Sequence, residues 1–455
     1  MSRLIIVSNR VASPNERGAA SAGGLAIALQ HALSQRGGLW LGWSGKAVAE
    51  TDRLKRREIK TNNIDYILLD LTQEQVTNYY HGFSNRLLWP LCHYRLDLLK
   101  FEAEEFKSYI EVNRLFAENL LNLLRKDDVI WVHDYHLLPL ASELRQLGVK
   151  NPIGFFLHIP FPCPDVFATA PPSRHLLSAM CSYDLLGFQS QNDLQNFTQA
   201  LKAENIATKI DNNKYHIFGH ELKTGVFPAS IDTAGFAKLA SETNDIELSQ
   251  RLIVGVDRLD YSKGILERMQ AYKLFLSQNA NLIEKVKFLQ ITPRSRTDLL
   301  AYKQLRQEVA KLAGNINGQY GTVKWTPMNY INKAIKQAEL SAIYRSAIAA
   351  LVTPLRDGMN LVAKEYVAAQ DPSNPGVLII SRFAGAADSL TGALIVNPYD
   401  TQNVANALST AIAMDKEERI SRWQPMQDYL LKHDAANWCE NFLKQLSAKP
   451  LHSYK

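Results

Sequence analysis

Short apolar runs that alternate with amphipathic helical segments constrain the fold of this chain more than any other feature of its sequence. The runs are continuous rather than alternating, which is typical of strands covered on both faces, as in parallel sheets. Between them, residues 106–124 keep the i, i+3/i+4 apolar spacing of an amphipathic helix. The pattern predicts doubly wound α/β layers, whose ligands bind beyond the carboxyl ends of the strands. The predicted strands are Leu4–Val7, Val129–Val132, Ile153–Leu157, Leu185–Phe188, Leu252–Val256, Phe288–Ile291, Ala349–Val352, Val377–Ile380 and Leu394–Val396.

The length of the chain, 455 residues, predicts two domains, because a single core usually stops growing at about 250–300 residues. A join is indicated near 230–250, where a strand runs into a proline turn and the polar stretch Ser241–Ser249 follows. We therefore expect two Rossmann-like, doubly wound domains, residues 1–232 and 233–429, that face a central cleft. A helical C-terminal segment, about 430–455, can pack back on the N-terminal domain.

Composition and charge exclude several classes of protein. No apolar stretch approaches the roughly 20 residues that span a bilayer, and the apolar core of the N-terminus is too short for a signal peptide. We therefore expect no membrane partner. Four cysteines without CxxC spacing indicate reduced thiols and a cytoplasmic protein. A net charge of +6 without a basic run favours a site for anionic small molecules over a nucleic-acid groove.

One strand-to-helix junction carries an unusual set of polar residues, LRDGMNLVAKE. Gly358 lets the backbone approach a ligand closely, and a helix beginning near Leu361 offers unpaired N–H groups and a positive dipole end to an anion. Lys364 can add a charge to a phosphate, while Glu365 can accept hydrogen bonds from the hydroxyls of a ribose. Asp357 would face a neutral polyol. The junction predicts a nucleotide-sugar site, and the alternative is a capped surface helix with solvated charges.

A second junction, VDRLDYSKG, follows the predicted strand Leu252–Val256 and sets two cations ahead of a helix. Arg258 and Lys263, five residues apart, can converge on a diphosphate and stabilise it as a leaving group. The alternative is a surface ion pair of Arg258 with Asp257 or Asp260, which would be worth little.

Two further junctions offer groups that could contact phosphates. The loop after the first strand is rich in Ala, Gly and Ser, and Gly23 and Gly24 precede a helical run. Adjacent glycines allow backbone contact with a phosphate, although a GxGxxG fingerprint is absent and an ordinary turn is the alternative. Arg10 lies at the carboxyl end of that strand, and Arg294 and Arg296 follow a later one, where either could clamp a second phosphate.

A histidine and aspartate cluster follows two other strands. No HExxH spacing or Cys/His set accompanies it, so we expect hydrogen bonds to sugar hydroxyls rather than a metal site. Tyr80 and Trp89 belong to an aromatic cluster on which a sugar ring could pack, and the alternative is ordinary core packing. The members of the polar cluster are His133, Asp134, His136 and His158.

These motifs together closely resemble the trehalose-6-phosphate synthase family, retaining glycosyltransferases of family 20 with the GT-B fold of two Rossmann-like domains. The resemblance covers nearly the whole chain, and the combination of DGMNLVAKE with HDYHLLP is highly specific. It implies transfer of glucose from UDP-glucose to glucose 6-phosphate, giving α,α-trehalose 6-phosphate and UDP with retained configuration. The N-terminal domain would bind the acceptor and the C-terminal domain the nucleotide sugar. Relatives form dimers and tetramers, so we expect a homo-oligomer.

The resemblance assigns roles residue by residue. The acceptor site, for glucose 6-phosphate, comprises Arg10, Tyr80, Asp134 and Arg296. The donor site, for UDP-glucose, comprises Gly23, Gly24, Arg258, Lys263, Ile335, Leu361, Val362, Ala363, Lys364 and Glu365. The residues expected to act in catalysis are Arg258, Lys263, His158 and Asp357. Trp89 and Ile159 match positions that select the α-anomer of the acceptor.

Several of these assignments carry a specific expectation. Arg10 and Arg296 would hold the phosphate of the acceptor, while His158 and Asp357 would hold hydroxyls of the donor sugar. Ile335 stands where relatives carry a phenylalanine near the uracil. Nucleotide preference would be relaxed if that phenylalanine ring stacks on the base.

Retention of configuration ordinarily requires a carboxylate nucleophile opposite an acid, and the residue spacing nominates no such pair. The route proposed for the family is front-face departure of UDP, in which the leaving phosphate takes the proton of the acceptor. Catalysis would then rest on electrostatic stabilisation and on the placement of two anionic substrates. Because Arg258 and Lys263 would replace a metal ion at the diphosphate, we expect no metal and no cofactor.

The sequence leaves three other functions open. A related glucosyltransferase with another acceptor, such as a glucosylglycerol-phosphate synthase or a pseudo-glycosyltransferase acting on cyclitols, is the nearest. A non-catalytic sugar-phosphate sensor is the second, and it predicts the loss of some donor or acceptor contacts. A nicotinamide oxidoreductase is suggested by the α/β pattern alone and lacks the GxGxxG fingerprint.

Overall fold

The computed structural model divides the chain into two compact α/β units. One unit comprises the described residues within 1–228 and 436–455, and the other comprises those within 229–435. These limits lie a few residues from the predicted ranges 1–232 and 233–429. The structure describes residues 2–11, 29–30, 32–33, 37–49, 56–61, 63–206, 208–211, 213–217, 219–243, 250–296 and 299–447.

The first unit is built on one sheet of ten described strands, in the order β3-β4-β2-β1-β5-β6-β7-β10-β9-β8. The strands from β4 to β10 pair in parallel, and the two edges are antiparallel. The strand order reverses between β1 and β5, so ligands are expected beyond the carboxyl ends of these two strands. The strands are β1 Leu4–Arg10, β2 Gly38–Val48, β3 Arg56–Lys60, β4 Ile64–Thr72, β5 Val129–His133, β6 Ile153–Phe156, β7 Leu185–Phe188, β8 Thr208–Asp211, β9 Lys214–Ile217 and β10 His220–Val226.

Helices of the first unit connect its parallel strands. A π-helical segment, Val76–Leu88, follows the short helix α1, Gln73–Gln75, without a break. Helix α3, Ala103–Leu121, buries the apolar stripe that its spacing predicts, including Tyr109, Val112 and Phe116. The α-helices are α1 Gln73–Gln75, α2 Trp89–Cys92, α3 Ala103–Leu121, α4 Leu140–Gln146, α5 Pro164–Phe167, α6 Ser173–Met180 and α7 Gln191–Ala203, with 3₁₀ turns at Leu96–Leu98 and Tyr135–Leu137.

The second unit is built on a sheet of six described strands that are all parallel, in the order β13-β12-β11-β14-β15-β16. Its order reverses between β11 and β14. The strands are β11 Arg251–Val256, β12 Val286–Ile291, β13 Met328–Ile331, β14 Ala347–Val352, β15 Val377–Ser381 and β16 Leu394–Val396. The helices are α8 Thr233–Glu242, α9 Ile265–Gln278, α10 Leu300–Tyr320, α11 Gln337–Ser346, α12 Leu361–Ala369, α13 Thr401–Ala413 and α14 Lys416–Lys432, with 3₁₀ turns at Tyr261–Lys263, Ala280–Leu282 and Gly385–Asp388.

Apolar clusters cover both faces of the second sheet. Ile253 and Leu351 belong to one cluster, and their chain neighbours Val254 and Ala350 belong to the other. Successive residues of a strand point to opposite faces, so both faces are apolar and the runs in the sequence are continuous. The described parts of both units therefore confirm the predicted doubly wound α/β class. No helix in the described ranges is long and apolar enough to cross a membrane.

The C-terminal segment predicted to be helical from about residue 430 contains the end of one helix and a second, separate helix in the described residues. Helix α14 ends at Lys432, and α15, Ala435–Ser447, follows after a two-residue break. Helix α15 packs against the sheet of the first unit, where the Phe442 ring stacks on Trp131 with centroids 4.6 Å apart. The indole N–H of Trp438 donates to the carbonyl of Phe227 at 3.1 Å.

Candidate functional site

In the second unit, the segments that follow β11 and β14 meet where the strand order reverses. The N–H of Leu355 donates to the carbonyl of Ser262 at 2.7 Å, which joins the two segments through their backbones. The segment after β15 completes the site, because the N–H of Asp357 donates to the Phe383 carbonyl at 3.0 Å. The N–H of Gly385 returns a bond to the Asp357 carbonyl at 3.2 Å. The predicted donor residues on these segments are therefore held at one edge of the sheet.

Lys263 and Asp357 form an ion pair between their side chains, which are only 12% and 13% exposed. The amide Nδ2 of Asn360 donates to the same carboxylate oxygen, Oδ2 of Asp357, at 3.0 Å. Each of these charged groups was predicted to contact a ligand, and in this structure they contact each other. The pair therefore places a cation and a carboxylate side by side next to the N-terminus of α12.

Helix α12 begins at this point with a residue in the left-handed region. Asn360 has a φ of +81°, and its side-chain oxygen accepts the N–H of Ala363 at 3.1 Å. This bond caps the helix in the usual way for an asparagine. Among the described residues, the N–H groups of Leu361 and Val362 have no partner, so they and the helix dipole can receive an anion.

Lys364 and Glu365, on the next positions of α12, differ from their predicted setting because Lys364 is buried and Glu365 is half-buried. Lys364 is fully buried and its Nζ donates to the carbonyl of Ala229 at 2.6 Å. Burial lowers the pKa of Lys364 to about 7. Burial raises the pKa of Glu365 to about 7, while the hydroxyl of Tyr344 lowers it. In this structure the Lys364 ammonium is a buried hydrogen-bond donor to a carbonyl rather than a surface cation.

Arg258 and Arg296 lie in different environments although both were predicted to bind phosphates. Arg258 follows β11 and is exposed. Arg296 has a side chain that is 5% exposed, and it pairs with Asp260 at 2.9 Å and with the Tyr302 hydroxyl at 2.6 Å. Its φ of +47° is unusual for a residue with a side chain. Arg296 belongs to the second unit, and it is already engaged by a carboxylate.

Arg268 is a residue of this site that the sequence motifs did not single out. Its guanidinium is fully buried and pairs with Asp257 at 2.6 Å. It also donates to the carbonyl of Lys263 at 2.6 Å and to the hydroxyl of Thr353 at 3.1 Å. It therefore ties the segment that follows β11 to the start of the segment that follows β14. A fully buried arginine has no signal in the sequence beyond its place on the apolar side of a helix.

In the first unit, Arg10 lies at the end of β1 beside aromatic rings. Its guanidinium carbon is 5.3 Å from the centroid of Trp43, and Gly45 packs directly against the guanidinium. Tyr80, on the π-helical segment, lies 5.5 Å from Trp43 and stacks on His136 with centroids 5.8 Å apart. A cation and aromatic faces suited to a phosphorylated sugar thus adjoin where the strand order reverses. The sequence motifs did not single out Trp43, which lies in the stretch WLGWSG.

Asp134 follows β5 and has a φ of +76°, a strained conformation for an aspartate. Its Oδ1 accepts the backbone N–H of His158 at 3.3 Å. Trp89 and Ile159, the positions matched to anomer selection, are both buried. The Trp89 ring packs 5.7 Å from that of Tyr135.

His158 pairs with His133, whose Nδ1 lies 3.0 Å from the Nε2 of His158. Burial lowers the pKa of His158 to about 3 and that of His133 well below its usual value. Both rings are therefore neutral near pH 7. No group of three or more potential ligands that could hold a metal occurs in the described part of the chain.

Three further residues were predicted to belong to the donor site. Gly23 and Gly24 lie outside the described residues. Ile335 is half-buried and packs against the apolar cluster on one face of the second sheet.

Comparisons with known proteins cover nearly the whole chain. The model of glycosyltransferase family 20 matches residues 2–448. The chain is 49% identical to a trehalose-6-phosphate synthase of Sinorhizobium fredii, over 98% of this chain and 99% of that protein. A solved structure of the Escherichia coli protein bound with UDP-2-fluoro glucose matches with a TM-score of 0.94 and 46% identity, over 99% and 100% of the two chains. An α,α-trehalose-phosphate synthase (UDP-forming) of Burkholderia xenovorans in complex with glucose-6-phosphate matches with a TM-score of 0.93 and 43% identity, over 98% and 100%.

Proposed function

The chain belongs to glycosyltransferase family 20, and we propose that it transfers glucose from UDP-glucose to glucose 6-phosphate with retention of configuration. The products are α,α-trehalose 6-phosphate and UDP. The two doubly wound units form a GT-B fold, as in the solved relatives. Relatives bound with a UDP-glucose analogue and with glucose-6-phosphate support the choice of both substrates.

We place the donor on the second unit, within residues 233–429. The N–H groups of Leu361 and Val362 and the dipole of α12 receive the diphosphate. Arg258 and Lys263 add two positive charges, and Lys263 exchanges its bond to Asp357 for a phosphate oxygen. Asp357 is then released to accept hydroxyl groups of the glucose. Lys364 acts indirectly, because its ammonium is buried against the carbonyl of Ala229.

We assign the remaining donor contacts to residues of the same unit and to Gly23 and Gly24. Glu365 binds the ribose as a hydrogen-bond acceptor. Ala363 contributes through the backbone of α12, and Ile335 lies near the base. Gly23 and Gly24 would add backbone contacts to the phosphate.

We place the acceptor on the first unit, within residues 1–232, at the end of β1 and β5. Arg10 binds its phosphate, Tyr80 packs on the sugar, and Asp134 accepts its hydroxyls. We assign Arg296 to the same phosphate, and its Nη1 already donates to Asp260 and to the hydroxyl of Tyr302 in this structure.

Trp89 and Ile159 select the anomer by shape. Both side chains are buried, so neither can rearrange without cost to the surrounding packing. A rigid wall at the anomeric hydroxyl favours one configuration of the acceptor over the other.

The chemistry follows from the charges at the donor site. The bond between the anomeric carbon and the diphosphate breaks, its electron pair goes to the phosphate oxygen, and the positive groups stabilise that oxygen. The acceptor hydroxyl bonds to the same face of the anomeric carbon, and its proton passes to the departing phosphate. His158, neutral because its pKa is lowered to about 3, is a hydrogen-bonding group rather than an acid in this step.

The observation that carries this proposal is the convergence of Lys263, Asp357 and the N-terminus of α12 at one strand edge. The test measures UDP release with glucose 6-phosphate and with glycerol 3-phosphate side by side, using UDP-, GDP- and ADP-glucose. We expect UDP-glucose with glucose 6-phosphate to be the fastest pair. A preference for glycerol 3-phosphate would instead identify a glucosylglycerol-phosphate synthase.

We also propose that the enzyme is cytoplasmic and forms a dimer or a tetramer. The four cysteines, all in the described part of the chain, remain thiols, which suits a reducing compartment. The oligomer is expected from the family, and light scattering of the purified chain would measure its mass.

A further inference from the structure

The contact between His133 and His158 raises the question of which ring nitrogen carries the shared proton. His133 ends β5 and is 1% exposed, and its Nδ1 lies 3.0 Å from the Nε2 of His158. Two ring nitrogens at this distance share a hydrogen bond only if one of them carries a proton and the other presents a lone pair.

Because both histidines are neutral, only two arrangements exist. In the first, His133 donates its Nδ1–H to His158, so Nε2 of His133 is bare and the proton of His158 is on its Nδ1. In the second, His158 donates its Nε2–H to His133, so Nε2 of His133 carries a proton and Nδ1 of His158 is bare. Each arrangement fixes both rings at once.

The surroundings of His133 distinguish the two arrangements. Its Nε2 is buried, and no described residue bonds to it. The ring packs between Trp131, with centroids 4.5 Å apart, and Trp438, with centroids 6.4 Å apart. The indole N–H of Trp131 is also buried without a described partner. The second arrangement would therefore bury two orphaned N–H donors close together, which native proteins avoid more strictly than an orphaned lone pair.

We propose that His133 is a positioning residue that donates its Nδ1–H to His158 and thereby commits His158 to the tautomer protonated on Nδ1. His158 is partly exposed, and its Nδ1 has no partner among the described residues. Its backbone is held by the bond from its N–H to Asp134. His158 thus presents a hydrogen-bond donor to an oxygen of the bound ligand. The identity of that oxygen as a sugar hydroxyl rests on the proposed function, whereas the tautomer does not.

Nitrogen-15 NMR of the full chain without substrate tests the tautomers directly. Long-range proton–nitrogen correlations distinguish a protonated ring nitrogen from a bare one, and the variants H133N and H158N assign the signals. Near pH 7.5 we expect Nδ1 to be protonated and Nε2 to be bare in both rings. A proton on Nε2 of His158 would overturn the proposal.

Steady-state kinetics with UDP-glucose measure how much the hydrogen bond donated by His133 contributes to glucose transfer. His133→Leu removes the donated proton, and we expect kcat/KM for UDP-glucose to fall about fivefold to tenfold, the loss typical of one hydrogen bond. His133→Asn places an amide N–H near the same position and should recover most of the loss. Equal losses in the two variants at equal thermal stability would contradict a role in donating the proton. If the wild-type chain transferred no glucose but showed the expected tautomers, the proposed function would fail and the tautomer assignment would stand.

Discussion

Lys263 and Asp357 lie 94 residues apart in the sequence, and their side chains form an ion pair where the strand order of the second unit reverses. The amide of Asn360, which caps α12, binds the same carboxylate oxygen. In the proposed donor site, a diphosphate that binds at the helix N-terminus would compete with Asp357 for the ammonium of Lys263. Binding of the donor phosphate would then release a carboxylate for the donor sugar.

Replacing Asp357 with asparagine tests this competition. The amide keeps the shape of the side chain and removes its charge, so Lys263 no longer has to leave an ion pair to bind phosphate. We expect UDP to bind about twofold to fivefold more tightly by calorimetry, the scale of a modest ion pair. Transfer should nonetheless slow, because the sugar loses an ionised acceptor. Asp371→Asn, at a carboxylate that pairs with Arg345 and whose side chain is 40% exposed, is the control. Weaker or unchanged UDP binding in Asp357→Asn would contradict the competition.

Replacing Arg258 with alanine tests the stabilisation of the leaving group. Arg258 is exposed and follows β11, and the proposed donor site assigns it to the diphosphate. We expect kcat to fall about 10²–10³-fold, as when a donor to developing negative charge is removed. Arg114→Ala, at an arginine whose side chain is 63% exposed on α3, is the matched control. Near-normal turnover in the Arg258 variant would exclude this role.

The lowered pKa of Lys364 and the raised pKa of Glu365, both on α12, predict opposite effects of pH on stability. The pKa of Glu365 is raised from 4.5 to about 7 in the folded chain. Its contribution to the free energy of unfolding is therefore full below pH 4.5 and is lost as the pH rises through 7. The pKa of Lys364 is lowered from 10.5 to about 7. Its contribution to the free energy of unfolding is therefore full above pH 10.5 and is lost as the pH falls through 7. Each slope is at most about 1.4 kcal/mol per pH unit.

Urea unfolding between pH 5 and about pH 9 measures these slopes as differences between the wild-type chain and each variant. Glu365→Gln should remove the fall in stability between about pH 5 and pH 7. Lys364→Met should remove the rise above pH 7. Parallel stability profiles of the wild-type chain and either variant would show that the corresponding group keeps its ordinary pKa.

Replacing Phe442 with alanine tests how α15 is attached to the first unit. Phe442 is fully buried, and the glycines at 154 and 187 leave the room that its ring occupies. We expect the free energy of unfolding to fall by about 3–5 kcal/mol, as for other buried phenylalanines. Leu431→Ala, at a position that is 48% exposed on α14, should change it little. An equal, small loss in both variants would show that α15 contributes little to the first unit.

The central strands of both sheets could be predicted from the sequence because strands covered on both faces need apolar residues at every position. The runs around Leu252–Val256 and Ala347–Val352 are strands for this reason. The edge strand Thr208–Asp211 is exposed along its whole length, so it carries no such run. Strand Arg56–Lys60 alternates exposed and half-buried residues, so it also has no continuous apolar run and was not predicted.

The contacts of the charged residues could not be predicted in the same way. Lys364 lies in the first turn of a helix, where a lysine is typical of a phosphate site. Its burial depends on Ala229, which is 135 residues away in the sequence. Arg296 likewise meets Asp260 only through the tertiary fold. Local spacing therefore predicts which residues stand at the strand ends, and long-range packing decides which of them already hold a partner.

The most direct measurement of the central claim is NMR of the disaccharide formed from UDP-glucose and glucose 6-phosphate, followed during the first turnovers. Positive groups that stabilise a departing UDP while the acceptor approaches the same face predict an α,α-1,1 linkage carrying a 6-phosphate. An α,β-linked product, or release of glucose and UDP without a disaccharide, would contradict the account.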